Sequence, residues 1–295
     1  MELLQSAFHR LGRPVAAGLG RGLGRREAGP ARLLRGNPVL LLAGASSPPS
    51  LYAHLQAWNP TLDQDEQGSL RIAESVTWHG PYRMDPWLAA AADLPDSWPI
   101  AYAARSPRQR VRIPDGRNAA DLRRRYPKEL PTGAEALAWA LVSGLARRLH
   151  GAARLPGGPA HTVTAEETVF CVYGNEALPW QVLRSVLELA LPDLSRNGAL
   201  AANDYCLERA DQLEITVQPV RDGQFLPYAL RARATDGWPH TLYRFTCVRQ
   251  ETHAEMVKLA GRCLEAALLL SDVVGGVLLD GDGFPVPDGP DTLDA

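Results

Sequence analysis

Two segments of the chain, "TGAEALAWALVSGLARRLHGAARLPGG" (residues 132–158) and "THAEMVKLAGRCLEAALLLSDVVGGVLLDGDG" (residues 252–283), state one pattern twice. Each opens with Thr-x-Ala-Glu, continues in Ala and Leu, closes on Gly and re-enters a short apolar run. A Thr followed three residues later by Glu is a capping box, in which the two side chains satisfy orphan N–H groups at a helix start. Thr132 with Glu135, and Thr252 with Glu255, are therefore expected to begin helices. Gly151 and Gly275–Gly276 are expected to end them, as a C′ glycine does.

Other landmarks recur in the same order. "VLLLAG" (Val39–Gly44) and "TVFCVYG" (Thr168–Gly174) are short apolar runs ending on Gly, which suits buried strands. A Pro-containing loop follows each, then a helical stretch carrying Leu51, Leu55 and Trp58 in one case and Val182, Leu183, Val186 and Leu187 in the other. "DSWPIAY" from Asp96 and "DGWPHTLY" from Asp236 share Asp-x-Trp-Pro leading into a strand-like run. The ordered landmarks predict an α+β chain of two tandem related β-α-β-β-α-β units, residues 38–164 and 165–287. That order is the one of a ferredoxin-like sandwich, with two helices on one face of an antiparallel sheet. An extra strand is expected around "LPYALRARA", Leu226 to Ala234.

Three stretches depart from the repeat. Residues 1–37 carry Arg10, Arg13, Arg21, Arg25, Arg26, Arg32 and Arg35 against Glu2 and Glu27. Leu3, Leu4, Ala7, Phe8 and Leu11 recur at helical spacing, while the rest is rich in Gly and Arg, so a basic tail with one short amphipathic helix is expected. Residues 288–295 form an acidic tail with Asp288, Asp291 and Asp294. Between Asp-x-Trp-Pro and the capping box the first unit is longer than the second. The surplus falls in "RSPRQRVRIPDGRNAADLRRRYPKE", an Arg-rich insertion over residues 105–128. Insertions of this kind sit on surfaces and often carry function.

Templates for catalysis and metal binding do not fit. "GASSP" (Gly44–Pro48) lacks the second Gly of a nucleophile elbow. "GLGRGLG" (Gly18–Gly24) precedes the first strand, whereas a dinucleotide fingerprint follows one. The seven histidines form no H-x-x-x-H pattern, so neither a metal nor a cofactor is expected. "DGDG" (Asp280–Gly283) copies part of a calcium loop, but Pro285 and Pro287 break it, and a turn is expected. Cys171, Cys206, Cys247 and Cys263 form no C-x-x-C and read as free thiols of a reducing, cytoplasmic setting.

Composition narrows the remaining classes. A formal net charge of −2 gives no global pull towards nucleic acid or membrane. No apolar stretch approaches the ~20 residues that cross a bilayer, and the N-terminus lacks the apolar region of a secretory signal. Of 31 basic residues only Lys128 and Lys258 are lysines, an Arg bias typical of a GC-rich, bacterial genome. The expectation that fits best is a non-catalytic protein-binding adaptor, chaperone or immunity-type protein, with self-association a further option. Its candidate binding residues are Arg105, Arg123, Arg124 and Arg125 of the insertion, with Trp78, Tyr82 and Trp87 from "WHGPYRMDPW". Arginine forks suit acidic partner surfaces, and aromatics with arginine enrich interfaces. One alternative is attachment to membrane or nucleic acid through the basic tail and insertion. Another is an enzyme of unrecognised class.

Overall fold

Pro38 introduces four consecutive apolar residues, Val39 to Leu42, and all four are buried, the mark of a strand covered on both faces. Around that strand the first of two units is built. The computed structural model describes residues 28–44, 48–64, 69–113, 123, 126, 129–162, 169–192, 195–201, 204–209, 213–220, 226–231, 239–247 and 252–286. The chain divides into Met1–Thr164 and Ala165–Ala295.

The first unit runs α1 (Ala28–Gly36), β1 (Val39–Leu42), α2 (Pro48–Trp58), β2 (Asp63–Gln64), β3 (Leu70–Ala73) and β4 (Val76–Arg83). It continues with α3 (Pro86–Ala92), β5 (Ile100–Arg105), β6 (Arg110–Val111), β7 (Leu130–Pro131), α4 (Gly133–Arg148), β8 (Ala152–Arg154) and β9 (Ala160–Thr162). The main sheet has the order β2-β3-β4-β5-β1-β8-β9, and its pairings are antiparallel. Alternation along the strands feeds two cores. On one face Ala31 and Leu34 of α1 and Leu88 and Ala92 of α3 pack on Val39, Leu41, Ala101, Ala103 and Ala152. The intervening residues Leu40, Leu42 and Tyr102 are buried too, as are Leu51 and Leu55 of α2 and Leu141 and Leu145 of α4.

The second unit runs β10 (Val169–Gly174), α5 (Trp180–Glu188), β11 (Ser195–Ala201), β12 (Asp204–Arg209) and β13 (Leu213–Pro219). It ends with α6 (Tyr228–Arg231), β14 (Thr241–Cys247), α7 (His253–Val273) and β15 (Val277–Asp280). Its antiparallel sheet has the order β11-β12-β13-β14-β10-β15. Phe170, Val172, Ile215, Tyr243 and Phe245 pack with Leu183 and Leu187 of α5 and Leu259, Cys263 and Leu270 of α7. On the other face Tyr173, Leu242 and Leu279 meet Leu226, Ala229 and Leu230.

Several expectations need correction. Residues 28–37 are not tail: α1 has Leu34 fully buried, and its charges leave one apolar side free to dock. The helix expected at Leu3–Leu11, the acidic tail and "GLGRGLG" lie outside the described residues, as do Asp236 and Trp238. Leu226–Arg231 contributes no strand: Tyr228–Arg231 is a helical turn whose Ala229 and Leu230 are buried against the sheet. Each unit also holds strands that the six-element pattern omits, namely β2, β3, β6, β7 and β9 in the first and β11 and β12 in the second.

The two long helices start differently. Thr252 accepts from the Glu255 N–H, and Glu255 reaches back to the Thr252 N–H, so α7 has its capping box. Thr132 is the N-cap residue of α4 but makes no side-chain cap bond, because Glu135 turns inward to another partner. Replacing Thr252 by Ala should therefore cost about 1 kcal/mol, while Thr132→Ala should change stability far less. Paired denaturant titrations of the two variants check this; equal losses would contradict it. At the other ends, His150 (φ 50°) and Gly275 (φ 56°) take the left-handed position, and Gly151 and Gly276 donate back to Ala146 and Ser271 at 2.8 Å. A Cβ at Gly151 would collide with the Leu41 carbonyl, and one at Gly276 with the Tyr173 carbonyl. Glycine is required there by close approach to the first strand of each unit.

Candidate functional site

The Arg-rich insertion leaves the first sheet at the end of β5 and returns at the start of α4, and its base is held at several points. Ser106 N–H donates to Asn37 Oδ1 at 3.1 Å, and Asn37 Nδ2 donates to the Leu33 carbonyl at 2.8 Å, which fastens the outgoing strand to the end of α1. Further on, β6 pairs with β7, setting Arg110 opposite Pro131 and Val111 opposite Leu130. Gln109 stands where the capping threonine would act: its Oε1 accepts the Ala134 N–H at 2.8 Å, and its carbonyl accepts the Thr132 N–H at 2.8 Å.

Glu135 completes this stem. One oxygen accepts the Gln109 N–H at 3.0 Å; the other takes Arg110 Nε at 2.9 Å and Nη2 at 2.6 Å. Both side chains are almost fully enclosed, at 5% and 2% exposure, and Arg110 also donates to the Pro156 carbonyl at 3.0 Å. An ion pair taken out of water gains little over an apolar contact, yet removing one member strands the other, so such a pair selects a conformation. Here it locks both ends of the loop. Sequence reasoning missed it because Glu135 has two competing uses, and the pattern Thr-x-x-Glu points only to the local one.

Among the described residues, the expected binding residues do not form one cluster. Arg105 ends β5 and is exposed; Arg123 is exposed within the insertion; Arg124 and Arg125 lie outside the described residues. Trp87 stands 57% exposed on α3, whose start is capped by Asp85 accepting the Leu88 N–H at 2.6 Å. Tyr82 packs half-buried against the α1 and α3 core, and that burial raises its phenol pKa. Trp78 is a correction: it is buried at 5%, on the sheet side opposite Tyr82, stacked on Tyr102 at 5.6 Å. A register shift in β4 between His79 and Tyr82 separates the two aromatics, so Trp78 serves the core and offers no exposed surface.

Other groups with chemical potential have structural partners. Arg154, 1% exposed, donates from Nη1 to the Arg35 carbonyl at 3.1 Å and from Nη2 to the carbonyls of Ala92 at 2.7 Å and Leu34 at 3.4 Å. It thus serves the last turns of α1 and α3, where carbonyls lack helical partners and the helix dipole favours a cation. Burial lowers its pKa, with Asp93 acting to raise it and Arg35 to lower it. Cys247 and Cys263, far apart in sequence, bring their sulfurs to 3.1 Å inside the second core. Burial pushes the Cys171 thiol up to about 11, which leaves it an unreactive thiol at neutral pH. "DGDG" is a turn: Asp280 Oδ1 accepts the N–H groups of Asp282 and Phe284, both at 3.0 Å. Among the described residues no group of His, Cys, Asp or Glu is arranged to hold a metal, and no helix is long and apolar enough to cross a membrane.

No protein-family model matches this chain, and no curated protein matches it. What the chain does has to be argued from its own geometry.

Proposed function

We propose that this chain is a non-catalytic protein-binding protein built from two copies of a ferredoxin-like unit, the first copy having gained a recognition loop. Support for the duplication comes from register. In β1–β5 and β10–β14, Leu42 faces Ile100 and Gly174 faces Thr241; in β4–β5 and β13–β14, Arg83 faces Ile100 and Pro219 faces Thr241. In β1–β8 and β10–β15, Leu41 faces Ala152 and Tyr173 faces Val277. Each unit's order β-α-β-β-α-β is recovered by β1, α2, β4, β5, α4 and β8, and by β10, α5, β13, β14, α7 and β15. The strands β8-β1-β5-β4 and β15-β10-β14-β13 lie in matching order. The tight turn that seats Gly151 under Leu41 recurs with Gly276 under Tyr173.

The binding reading rests on one observation, the enclosed Arg110–Glu135 pair that fixes the stem of the insertion. A basic loop on a rigid base presents its side chains with less ordering cost on binding than a free segment would. The loop carries Arg112, Arg117, Arg123, Arg124 and Arg125, whose forks match carboxylate groups. The proposed partner is a protein with an acidic surface.

An affinity pull-down with the wild type beside Arg123→Ala/Arg124→Ala/Arg125→Ala tests this. Loss of one specific protein partner, with an unchanged circular dichroism spectrum, is the expected result. An unchanged partner set would remove the loop from function, and salt-removable nucleic acid in its place would favour surface attachment instead.

A further inference from the structure

Two cysteines distant in sequence meet because two different periodicities aim them at one core. Alternate residues of β14 point to one side of the sheet, so Tyr243, Phe245 and Cys247 are all fully buried in the core that α7 covers. Along α7 the spacing of Met256, Leu259, Cys263, Ala267 and Leu270 makes one apolar stripe, and all five belong to that core. Cys247 is the last residue of β14 and stands opposite Leu213, the first of β13. At that strand end the sulfurs of Cys247 and Cys263 are hydrogen-bonded at 3.1 Å. Non-bonded carbon atoms sit ~3.5–4.0 Å apart, and sulfur is the larger atom. The two sulfurs are therefore closer than side-by-side packing of small apolar groups brings them.

Burial alone disfavours a thiolate, as at Cys171, whose pKa it pushes up. At Cys247 the hydrogen bond with Cys263 acts the other way and outweighs burial, so that thiol is held below its ordinary pKa. Reactive character is thus found at the paired cysteine and not at Cys171. A metal between the two sulfurs fits less well. Two Zn–S bonds of ~2.3 Å at a tetrahedral angle set their sulfurs roughly 3.8 Å apart. Among the described residues, moreover, no third His, Cys, Asp or Glu joins the pair as a ligand.

We propose that Cys247 and Cys263 are an oxidisable pair that closes to a disulfide when hydrogen peroxide reaches the second core. This pair owes nothing to the recognition loop of the first unit. The Cys247 sulfur attacks one peroxide oxygen and the O–O bond breaks. Cys247 becomes a sulfenic acid, and the departing hydroxide takes up the Cys247 proton and leaves as water. Cys263 then attacks the Cys247 sulfur, the S–O bond breaks, and the second hydroxide leaves as water with the Cys263 proton. Two thiols are oxidised to one disulfide, and one hydrogen peroxide is reduced to two waters. A small, uncharged oxidant suits a site where both cysteines are 0% exposed. With Cys263 already in contact, the sulfenic acid is resolved before further oxidation leaves a charged acid in an apolar core. The bond ties residues 16 apart, the end of β14 to the middle of α7, across the capped helix start at Thr252. Closing a loop of that length raises the folded-to-unfolded ratio about a hundredfold.

Trypsin separates the two cysteines, because Arg249, Lys258 and Arg262 lie between them. The full wild-type chain is treated with hydrogen peroxide, its remaining thiols are alkylated in denaturant, and the digest is read by mass spectrometry. The expected product is the Cys247 peptide joined to the Cys263 peptide, two hydrogens lighter than the pair and separated again by dithiothreitol. Hydrogen exchange over Met256–Arg262 should slow at least about tenfold in the oxidised chain, since the cross-link opposes opening of α7. Cys263→Ala should abolish both the joined peptide and the slowing, and should leave Cys247 as a sulfenic acid that dimedone traps. Two alkylated thiols at Cys247 and Cys263, under peroxide that fully oxidises free glutathione, would overturn the proposal. So would a sulfinic acid at Cys247 without a cross-link, or a cross-link that joins Cys171 or Cys206 instead. The wild-type peptide map decides by itself, so the test stands even where Cys263→Ala fails to fold.

Discussion

A chain beginning at Pro38 should lose most of the stability of its first unit. Sequence reasoning makes residues 1–37 a dispensable tail, with a melting temperature expected to shift by a few degrees. The packing of α1 argues otherwise. Leu34 is fully buried and Ala31 nearly so, both within the core over β1 and β5. Burial of a leucine stabilises by roughly 1.5–3 kcal/mol, and removing it leaves its neighbours without contacts. Truncation would also take away Asn37, which holds Ser106, and two of the three carbonyls that satisfy Arg154. The combined loss, on the order of 5 kcal/mol or more, is comparable with the whole stability of a domain. Tryptophan emission reports mainly the first unit, which holds Trp58, Trp78, Trp87, Trp98 and Trp139, against Trp180 and Trp238 in the second. The truncated chain should show an unfolded-like emission maximum at temperatures where the full chain is folded. Leu34→Ala alone should cost about 3 kcal/mol. A native-like emission and melting curve for the truncated chain would reinstate the tail.

Replacing Arg154 by Met should be the most damaging single change, by roughly 3–5 kcal/mol. Methionine keeps an unbranched apolar stem but is shorter, so the loss combines the missing donors with the space the guanidinium filled. Without it the buried carbonyls of Leu34 and Ala92 lose this donor, as does the part-buried carbonyl of Arg35. An unsatisfied buried polar group costs about 1–3 kcal/mol each, and the three share one site, so their costs do not simply add. Arg154→Lys should restore only part of the loss, because one ammonium cannot span acceptors on both helices while a planar fork does. Urea titrations followed by tryptophan emission measure both variants. A methionine variant as stable as the wild type would mean that water reaches those carbonyls.

These two positions also mark where local and long-range information part. The strands at Val39–Leu42 and Val169–Gly174 and the helices at Gly133–Arg148 and His253–Val273 were legible in the sequence. Each is announced by interactions within a few residues, such as an apolar run, a capping residue or a glycine stop. So was the mixed α+β character of the chain. Strands β2 and β3 escaped notice because strands of two and four residues draw their order from neighbours across the sheet. Trp78 and Tyr82 read alike in sequence; a register shift between them sent one into the core beside Tyr102 and the other to the α1 and α3 side.

What only the tertiary structure decided is the choice of partner where a residue had more than one. Thr132-x-x-Glu135 and Thr252-x-x-Glu255 are the same local signal, yet only the second makes the capping box, because Arg110 and the Gln109 N–H hold Glu135 while Glu255 stays on Thr252. Arg154 and Arg71 are both arginines on short strands, one enclosed by two helix ends and the other exposed on the sheet. An arginine's sequence neighbours do not determine whether it is surrounded by carbonyls or by water. Chain segments that arrive from far along the sequence do, here α1 and α3 over β8, and their arrival depends on the packing of the whole unit.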